Sequence, residues 1–151
     1  MRLSKNRGAL AWFDKGIVPQ SLSGTTEVLS GAIDRMTVDE QGFDSCKIVG
    51  ATGAATGSPS SLSVVYKVTH CETSGGSYAD YTDPSTGSAA SVTISAASTG
   101  AQLNVDLSQA YRYVKLSATP AFVSGTAPTV PFAGGIVLMG AHKAPPASTT
   151  T

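Results

Sequence analysis

Residues 62–71 read Leu62-Ser63-Val64-Val65-Tyr66-Lys67-Val68-Thr69-His70-Cys71, and this run decides the fold. Successive side chains of a β-strand point to opposite faces of a sheet. Val64, Tyr66 and Val68 therefore share one face, with Leu62 continuing it, while Lys67 lies on the other. The run predicts a strand with one buried face.

Shorter runs of the same kind lie on both sides of this strand. Gly75-Gly76 and the segment from Asp83-Pro84 to Gly87 have the composition of turns between them. A long helical period is absent, and Pro120 is expected to end its strand. The chain therefore predicts an all-β fold, an antiparallel β-sandwich or a jelly-roll-like domain. The further predicted strands are residues 27–36, 43–51, 78–81, 91–96, 102–107, 111–118 and 130–140.

The two ends of the chain differ from this middle part. Gly8, Gly16, Pro19 and Gly24 interrupt any helical period, so residues 1–25 are predicted to be an extended N-terminal arm. Residues 26–143 are predicted to form the β-sandwich domain, and residues 144–151 an irregular, flexible Pro/Thr tail. The arm carries apolar residues that we expect to dock either on the domain itself or on a neighbour. These candidate partner-binding residues are Leu10, Trp12, Phe13, Ile17 and Val18.

Charge is scarce, at 13% of residues, and the formal net charge is zero. A neutral domain lacks the basic footprint that nucleic-acid binding usually needs, so we expect no direct nucleic-acid binding. The longest apolar stretch, residues 133–141, contains three glycines and is too short to cross a bilayer. We therefore expect a soluble protein with no membrane partner. Cys46 and Cys71 are more consistent with free thiols than with a disulfide.

Residues that could carry chemistry are few. His70 and His142 are the two histidines, and no Gly-x-Ser-x-Gly motif accompanies them. The glycine-rich segment 50–57 lacks the Lys-Ser/Thr pair of a phosphate loop. Glu72, Asp80 and Asp83 could hold calcium, but turn carboxylates are the commoner interpretation. We predict that the protein is not an enzyme and has neither a cofactor nor a metal.

A series of short motifs runs along the middle of the chain. They are AIDR at 32–35, DS at 44–45, GA at 50–51, PSSLSV at 59–64, KVTH at 67–70, YAD at 78–80, DLS at 106–108, YRYV at 111–114 and VLMG at 137–140. This series resembles small structural proteins of tailed bacteriophages, of the type that decorates or cements the capsid. The resemblance covers approximately residues 26 to 145, and its motifs are positional rather than chemical.

The resemblance implies a virion protein that binds and stabilises the major capsid shell, assembled in the cytoplasm of a host bacterium. Its partner would be the major capsid protein, with the chain present as a homo-oligomer or as symmetric copies on the particle. An alternative is a tail, head–tail or fibre module that binds a host receptor or glycan, since the chain has five tyrosines. A depolymerase or esterase is a third hypothesis, weakened by the lack of an acid–base pair.

Overall fold

Antiparallel strands make up the fold in the computed structural model, which describes residues 11–36 and 42–141. No helix occurs in these two ranges, so the all-β prediction is confirmed. The strands are β1 (Ala11–Trp12), β2 (Gly16–Ser23), β3 (Val28–Leu29), β4 (Ile33–Asp34), β5 (Phe43–Thr52), β6 (Ser61–Cys71), β7 (Ala79–Asp80), β8 (Thr82–Asp83), β9 (Ser88–Ala89), β10 (Ser91–Ile94), β11 (Gly100–Asp106), β12 (Tyr113–Val123) and β13 (Thr129–Ala141).

Two sheets pack against each other as a β-sandwich. The front sheet has the order β1-β13-β5-β11, with β2 also paired to β13. The back sheet has the order β10-β6-β12-β3, with β4 paired to β12 and β7 paired to β6. Strands β8 and β9 form a separate small hairpin. The longest strands lie at the centres of the two sheets. They are β6 and β12 in the back sheet and β5 and β13 in the front sheet.

The core lies between the sheets and is built by alternate residues of these central strands. Val64, Tyr66 and Val68 of β6 are fully buried, as the period-two pattern predicts. Ile48 of β5 and Ile136 of β13 face them from the front sheet and are equally buried. Burying such side chains contributes about 1.5–3 kcal/mol each, so this layer holds the sheets together.

Tyr66 crosses the core and ends inside the front sheet. Its ring lies against Gly50 of β5 and Gly134 of β13, which are direct partners in the strand register. A Cβ atom would come within 2.6 Å of the ring at Gly50 and within 2.7 Å at Gly134. The Tyr66 hydroxyl lies 2.9 Å from the carbonyl oxygens of both Ala51 and Ala133. The paired glycines therefore make the space that this buried tyrosine needs.

Arg35 joins three segments at one end of the sandwich. Its guanidinium donates hydrogen bonds to the carbonyl oxygens of Tyr111 at 2.8 Å, Phe43 at 2.9 Å and Ala110. A charged donor strengthens such bonds, and the fork of Arg can serve several acceptors at once. The side chain thereby connects β4 and the start of β5 to the turn before β12.

Strand β12 continues past Pro120, so the prediction that this proline ends the strand is wrong. The backbone of Leu116 bonds to Ser30 and not to β6, since Ser30 N–H donates to Leu116 O at 2.8 Å. Residues 118 and 120 point their backbone groups the same way. The N–H that Pro120 lacks would therefore face away from β6, beyond the end of β3, and no ladder bond is lost.

The N-terminal segment also contributes to the sheet. Strand β2 pairs with β13 from Gly16 to Ser23, so the predicted start of the sandwich at residue 26 is too late. Gly16 and Pro19 do interrupt a helical period, as the sequence indicates, but an outer strand tolerates both. Leu10 and the tail at 144–151 lie outside the described residues.

We predict that Gly134→Ala and Gly50→Ala each destabilise the protein by about 1–3 kcal/mol, because the new methyl group overpacks the core at Tyr66. Tyr66→Phe should cost about 1 kcal/mol through the lost hydroxyl bond. Urea unfolding measures all three. Gly75→Ala is the matched control, since nothing lies within 4 Å of its Cβ position. Equal stability of the Gly134 and Gly75 variants would contradict this account of the core.

Candidate functional site

The outer face of the back sheet is charged, and its charges are paired. Lys67 lies 2.8 Å from a carboxylate oxygen of Asp80 and 3.9 Å from one of Glu27. The ammonium of Lys115 lies 4.0 Å from the ring centre of Tyr78, in a cation–π contact. This face has the ordinary character of a surface that stays in water.

The outer face of the front sheet is different, because its central strands present apolar and small side chains. Val49 and Ala51 of β5 alternate with buried residues, so they point outward. Ala133, Gly135 and Val137 of β13 occupy the equivalent outer positions. Together with Phe13 they line an open groove of about 460 Å³. We call this surface the apolar face, defined by Phe13, Val49, Ala51, Ala133, Gly135 and Val137.

The ring of Phe13 lies on the apolar face, directly against the backbone of Gly135. A Cβ atom at Gly135 would come within 2.5 Å of the Phe13 ring, so only glycine leaves room for it. The ring covers Gly135 and yet remains 59% exposed. Val49, which is the register partner of Gly135, is 42% exposed. Two large apolar side chains in one place on the surface are typical of a protein contact site.

Polar residues flank the apolar face. Lys47 is the outward register partner of Val137, and Gln102 of β11 is the partner of Val49. Asn104 follows Gln102 on the same side of β11 and is also exposed. An apolar centre with a polar margin is the usual anatomy of a protein–protein interface.

The residues predicted as partner anchors fall in different environments. Phe13 belongs to the apolar face, and Val18 is 71% exposed. Ile17 is only 4% exposed and packs in the core, so its prediction as a partner contact is corrected to a core residue. Trp12 pairs through its backbone with Leu138, and its side chain is outside the described part. Leu10 is likewise outside it.

Sequence reasoning missed most of the apolar face. The pattern of residues 43–51 does not by itself show on which side Val49 lies, and alternation from the buried Cys46 and Ile48 places it on the outer side. Ala51, Ala133, Gly135 and Val137 were not singled out. The signal that could have found them is the small outward set on two adjacent long strands, which is visible only once β5 and β13 are known to pair.

His70 is used by the fold. Its Nδ1 accepts the N–H of Tyr111 at 3.2 Å, and its ring stacks on Tyr111 with centres 4.6 Å apart. The edge of Tyr81 also contacts it. Burial, helped by the positive charge of Arg35, lowers the pKa of His70. His70 is thus a half-buried residue of β6, whereas His142 lies outside the described residues.

Asp80 and Asp83, two of the acidic residues that could hold calcium, bind different partners within the protein. Asp83 is 4% exposed rather than a surface turn carboxylate, and it accepts hydrogen bonds from Ser85 N at 2.8 Å and Ser85 Oγ at 2.6 Å. Asp80 pairs with Lys67. Within residues 11–36 and 42–141, no group of three or more His, Cys, Asp or Glu side chains is placed to hold a metal ion.

The tyrosines do not form one group, and Tyr113 is the register partner of Cys71. Tyr66 and Tyr81 are buried, and Tyr111 is stacked on His70. Cys46 and Cys71 are free thiols, as expected, and lie in different sheets. Burial, with a smaller contribution from Asp83, raises the pKa of the Cys46 thiol to about 12.

Neither the protein-family models nor the curated proteins with which the chain was compared give a match. In the two described ranges, no helix has the length and apolar character needed to traverse a bilayer. The apolar face is thus the feature on which an argument about function rests.

We predict that Ile17→Ala lowers the free energy of unfolding by about 2–4 kcal/mol, because it leaves a cavity in the core. Phe13→Ala should cost much less, since most of its ring already contacts water. Urea unfolding of the two variants separates a core residue from a surface residue. A larger loss for Phe13→Ala than for Ile17→Ala would contradict the assignment.

Asp83 predicts a dependence of stability on pH. Burial alone raises its pKa, but hydrogen bonds from Ser85 and from Asp106 N outweigh burial, so the pKa lies below its ordinary value. The stabilisation should be complete above the unfolded pKa of about 3.9 and be lost as the pH falls through the lower folded pKa. Urea unfolding should therefore show that the difference in free energy of unfolding between the wild type and Asp83→Asn is smaller at about pH 3 than at about pH 6.

Asp80→Asn is the control for this effect, because its carboxylate is exposed and pairs only at the surface. A difference between wild type and Asp83→Asn that stays constant over this pH range would refute the proposed role of ionised Asp83.

Proposed function

We propose that this protein is a structural component of a bacteriophage virion, an auxiliary protein that decorates the capsid by docking its apolar face on the major capsid protein. The observation that carries the proposal is the exposed apolar face with Phe13 at its edge. The phage assignment itself comes from the resemblance in the sequence. The partner would be the major capsid protein, with the chain present in symmetric copies on the particle.

Burial of the apolar face would supply the binding energy. Removing apolar surface from water contributes about 25 cal/mol per Å², and a fully buried phenylalanine side chain about 1.5–3 kcal/mol. Phe13 and Val49 are the largest exposed contributors here. Aromatic side chains, including phenylalanine, are enriched in protein–protein interfaces.

The charge distribution also favours docking through this face. The groove is lined by apolar and glycine residues only, so covering it would strip water from no ionised side chain. The back sheet, by contrast, would have to lose hydration around Lys67 and its two carboxylate neighbours. The cost of desolvating charges therefore directs a protein partner to the front sheet.

His70 and Asp83, which could act as a catalytic base and its acidic partner, make hydrogen bonds that support the fold. The Nδ1 atom of His70 is bonded to backbone, and Asp83 is bonded to Ser85 and to the backbone of Asp106. These engagements suit an assembly role better than hydrolysis, because a catalytic base must reach a substrate.

Occupancy of purified particles tests the proposal. Val49→Lys and Phe13→Ser should each lower the number of copies per particle at least tenfold at limiting protein concentration, which corresponds to about 1.4 kcal/mol. Quantitative mass spectrometry measures the copies. These point variants are preferable to deletion of residues 1–20, which would remove part of β2 and the core residue Ile17.

Val123→Lys is the matched control, because Val123 is 58% exposed but lies at the end of β12 in the back sheet. It should leave occupancy unchanged. Unchanged occupancy of the Val49 and Phe13 variants would contradict docking through the apolar face. Absence of the wild-type chain from the particles would contradict the virion role, and a position confined to the tail in a cryo-EM reconstruction would favour the tail-module alternative.

A further inference from the structure

The edges of the two sheets are unequally protected against pairing with another strand. Strand β2, at one edge of the front sheet, contains Pro19 and a register shift against β13. The outer strands of the back sheet have only two or four residues. Prolines, irregularities and short strands are the usual protections of sheet edges.

Strand β11, at the other edge of the front sheet, lacks these protections. It has seven residues, Gly100-Ala-Gln-Leu-Asn-Val-Asp106, without proline or lysine. Its register with β5 is regular over its whole length. Such an edge is suited to accept another strand.

The register shows which backbone groups of β11 point away from the sheet. Thr52 N–H donates to Thr99 O at 2.8 Å, and Leu107 N–H donates to Asp44 O at 2.7 Å. By alternation, the odd-numbered residues of β11 bond to β5. The backbone N–H and C=O groups of Gly100, Gln102 and Asn104 therefore point outward, and all three residues are exposed.

The far end of this edge is closed by the protein itself. Asp106 N–H donates to Asp83 Oδ2 at 3.3 Å, and Asp106 O accepts the Tyr81 hydroxyl at 2.7 Å. The open edge is therefore a short segment, residues 100–104, with a defined end. It carries no charged side chain that would repel a second copy.

We propose that two copies of this chain pair antiparallel through β11, with Gln102 opposite Gln102 of the second copy. In this register Gly100 of each copy lies opposite Asn104 of the other. Every outward backbone group of the three residues then gains a partner, which makes six hydrogen bonds. The two Asp106 carboxylates stay apart, because each lies beyond the paired segment. The edge is thus complementary to itself, as a two-fold interface requires.

Charge placed on the symmetry axis tests the pairing. Sedimentation equilibrium of the wild-type chain should show a monomer–dimer equilibrium. Gln102→Lys should weaken the dimer at least tenfold, because it places two ammonium groups opposite each other. Ser21→Lys, the same charge change on β2, should leave it unchanged. At a dilution where the wild type is monomeric, both variants should keep its unfolding midpoint. A wild-type chain that stays monomeric at millimolar concentration, or equal effects of the two variants, would overturn the proposal.

Disulfide cross-linking tests the register. In a Cys71→Ser background, Gln102→Cys should form a disulfide-linked dimer on oxidation, because opposed residues lie about 5.5 Å apart at Cα. Asn104→Cys should not, since its two copies would lie four residues apart along the strands, about 13 Å. Cross-linking of Asn104→Cys but not of Gln102→Cys would overturn the register. Phe13→Ser should dimerise normally, so this result is independent of capsid docking.

Discussion

The insertion of Tyr66 between Gly50 and Gly134 is the constraint on which the rest of the sandwich depends. The side chain starts in the back sheet and ends at carbonyl oxygens of two adjacent front-sheet strands. Burial raises its pKa to about 12. The hydroxyl therefore stays neutral as a hydrogen-bond donor. It fixes the relative position of the two sheets more narrowly than apolar contacts alone, which have no direction.

The opposite side of the front sheet depends on small residues as well. Gly50 and Gly134 leave room for Tyr66 on the inner side, whereas Gly135 leaves room for Phe13 on the outer side. The outer surface is shallow and apolar around Val49 because Gly135 lies opposite it in the strand register. Neighbouring residues of β13 thus line the core and the groove, so a substitution that alters the path of this strand affects both. A candidate binding surface built on two long paired strands is also rigid, which lowers the entropic cost of association.

The sequence predicts the strands well where one face is buried. The period-two pattern places β6 at residues 62–71 and the structure at Ser61–Cys71, because Val64, Tyr66 and Val68 must leave water together. The same pattern fails at Pro120. A strand tolerates a proline when the N–H that the proline lacks would not face a paired strand, and this cannot be known before the strand pairing is known. The sequence pattern also fails for Asp83 because the hydrogen bonds that compensate its burial come from the backbone and from Ser85. The apolar face was missed since it depends on pairing between residues more than eighty positions apart, such as Val49 and Gly135.

The position of β13 in the front sheet has a consequence for how the chain folds. This strand is the last of the described sequence, yet it pairs with β1, β2 and β5. Closing the sheet therefore waits for contacts between segments that are far apart in the chain, and such topologies fold slowly. Until β13 docks, β2 has no partner strand in the front sheet, β5 is paired on one side only, and the hydroxyl of Tyr66 lacks the carbonyl oxygen of Ala133. During synthesis on the ribosome, β13 emerges after the strands with which it pairs, so the apolar face can form only once β13 is available.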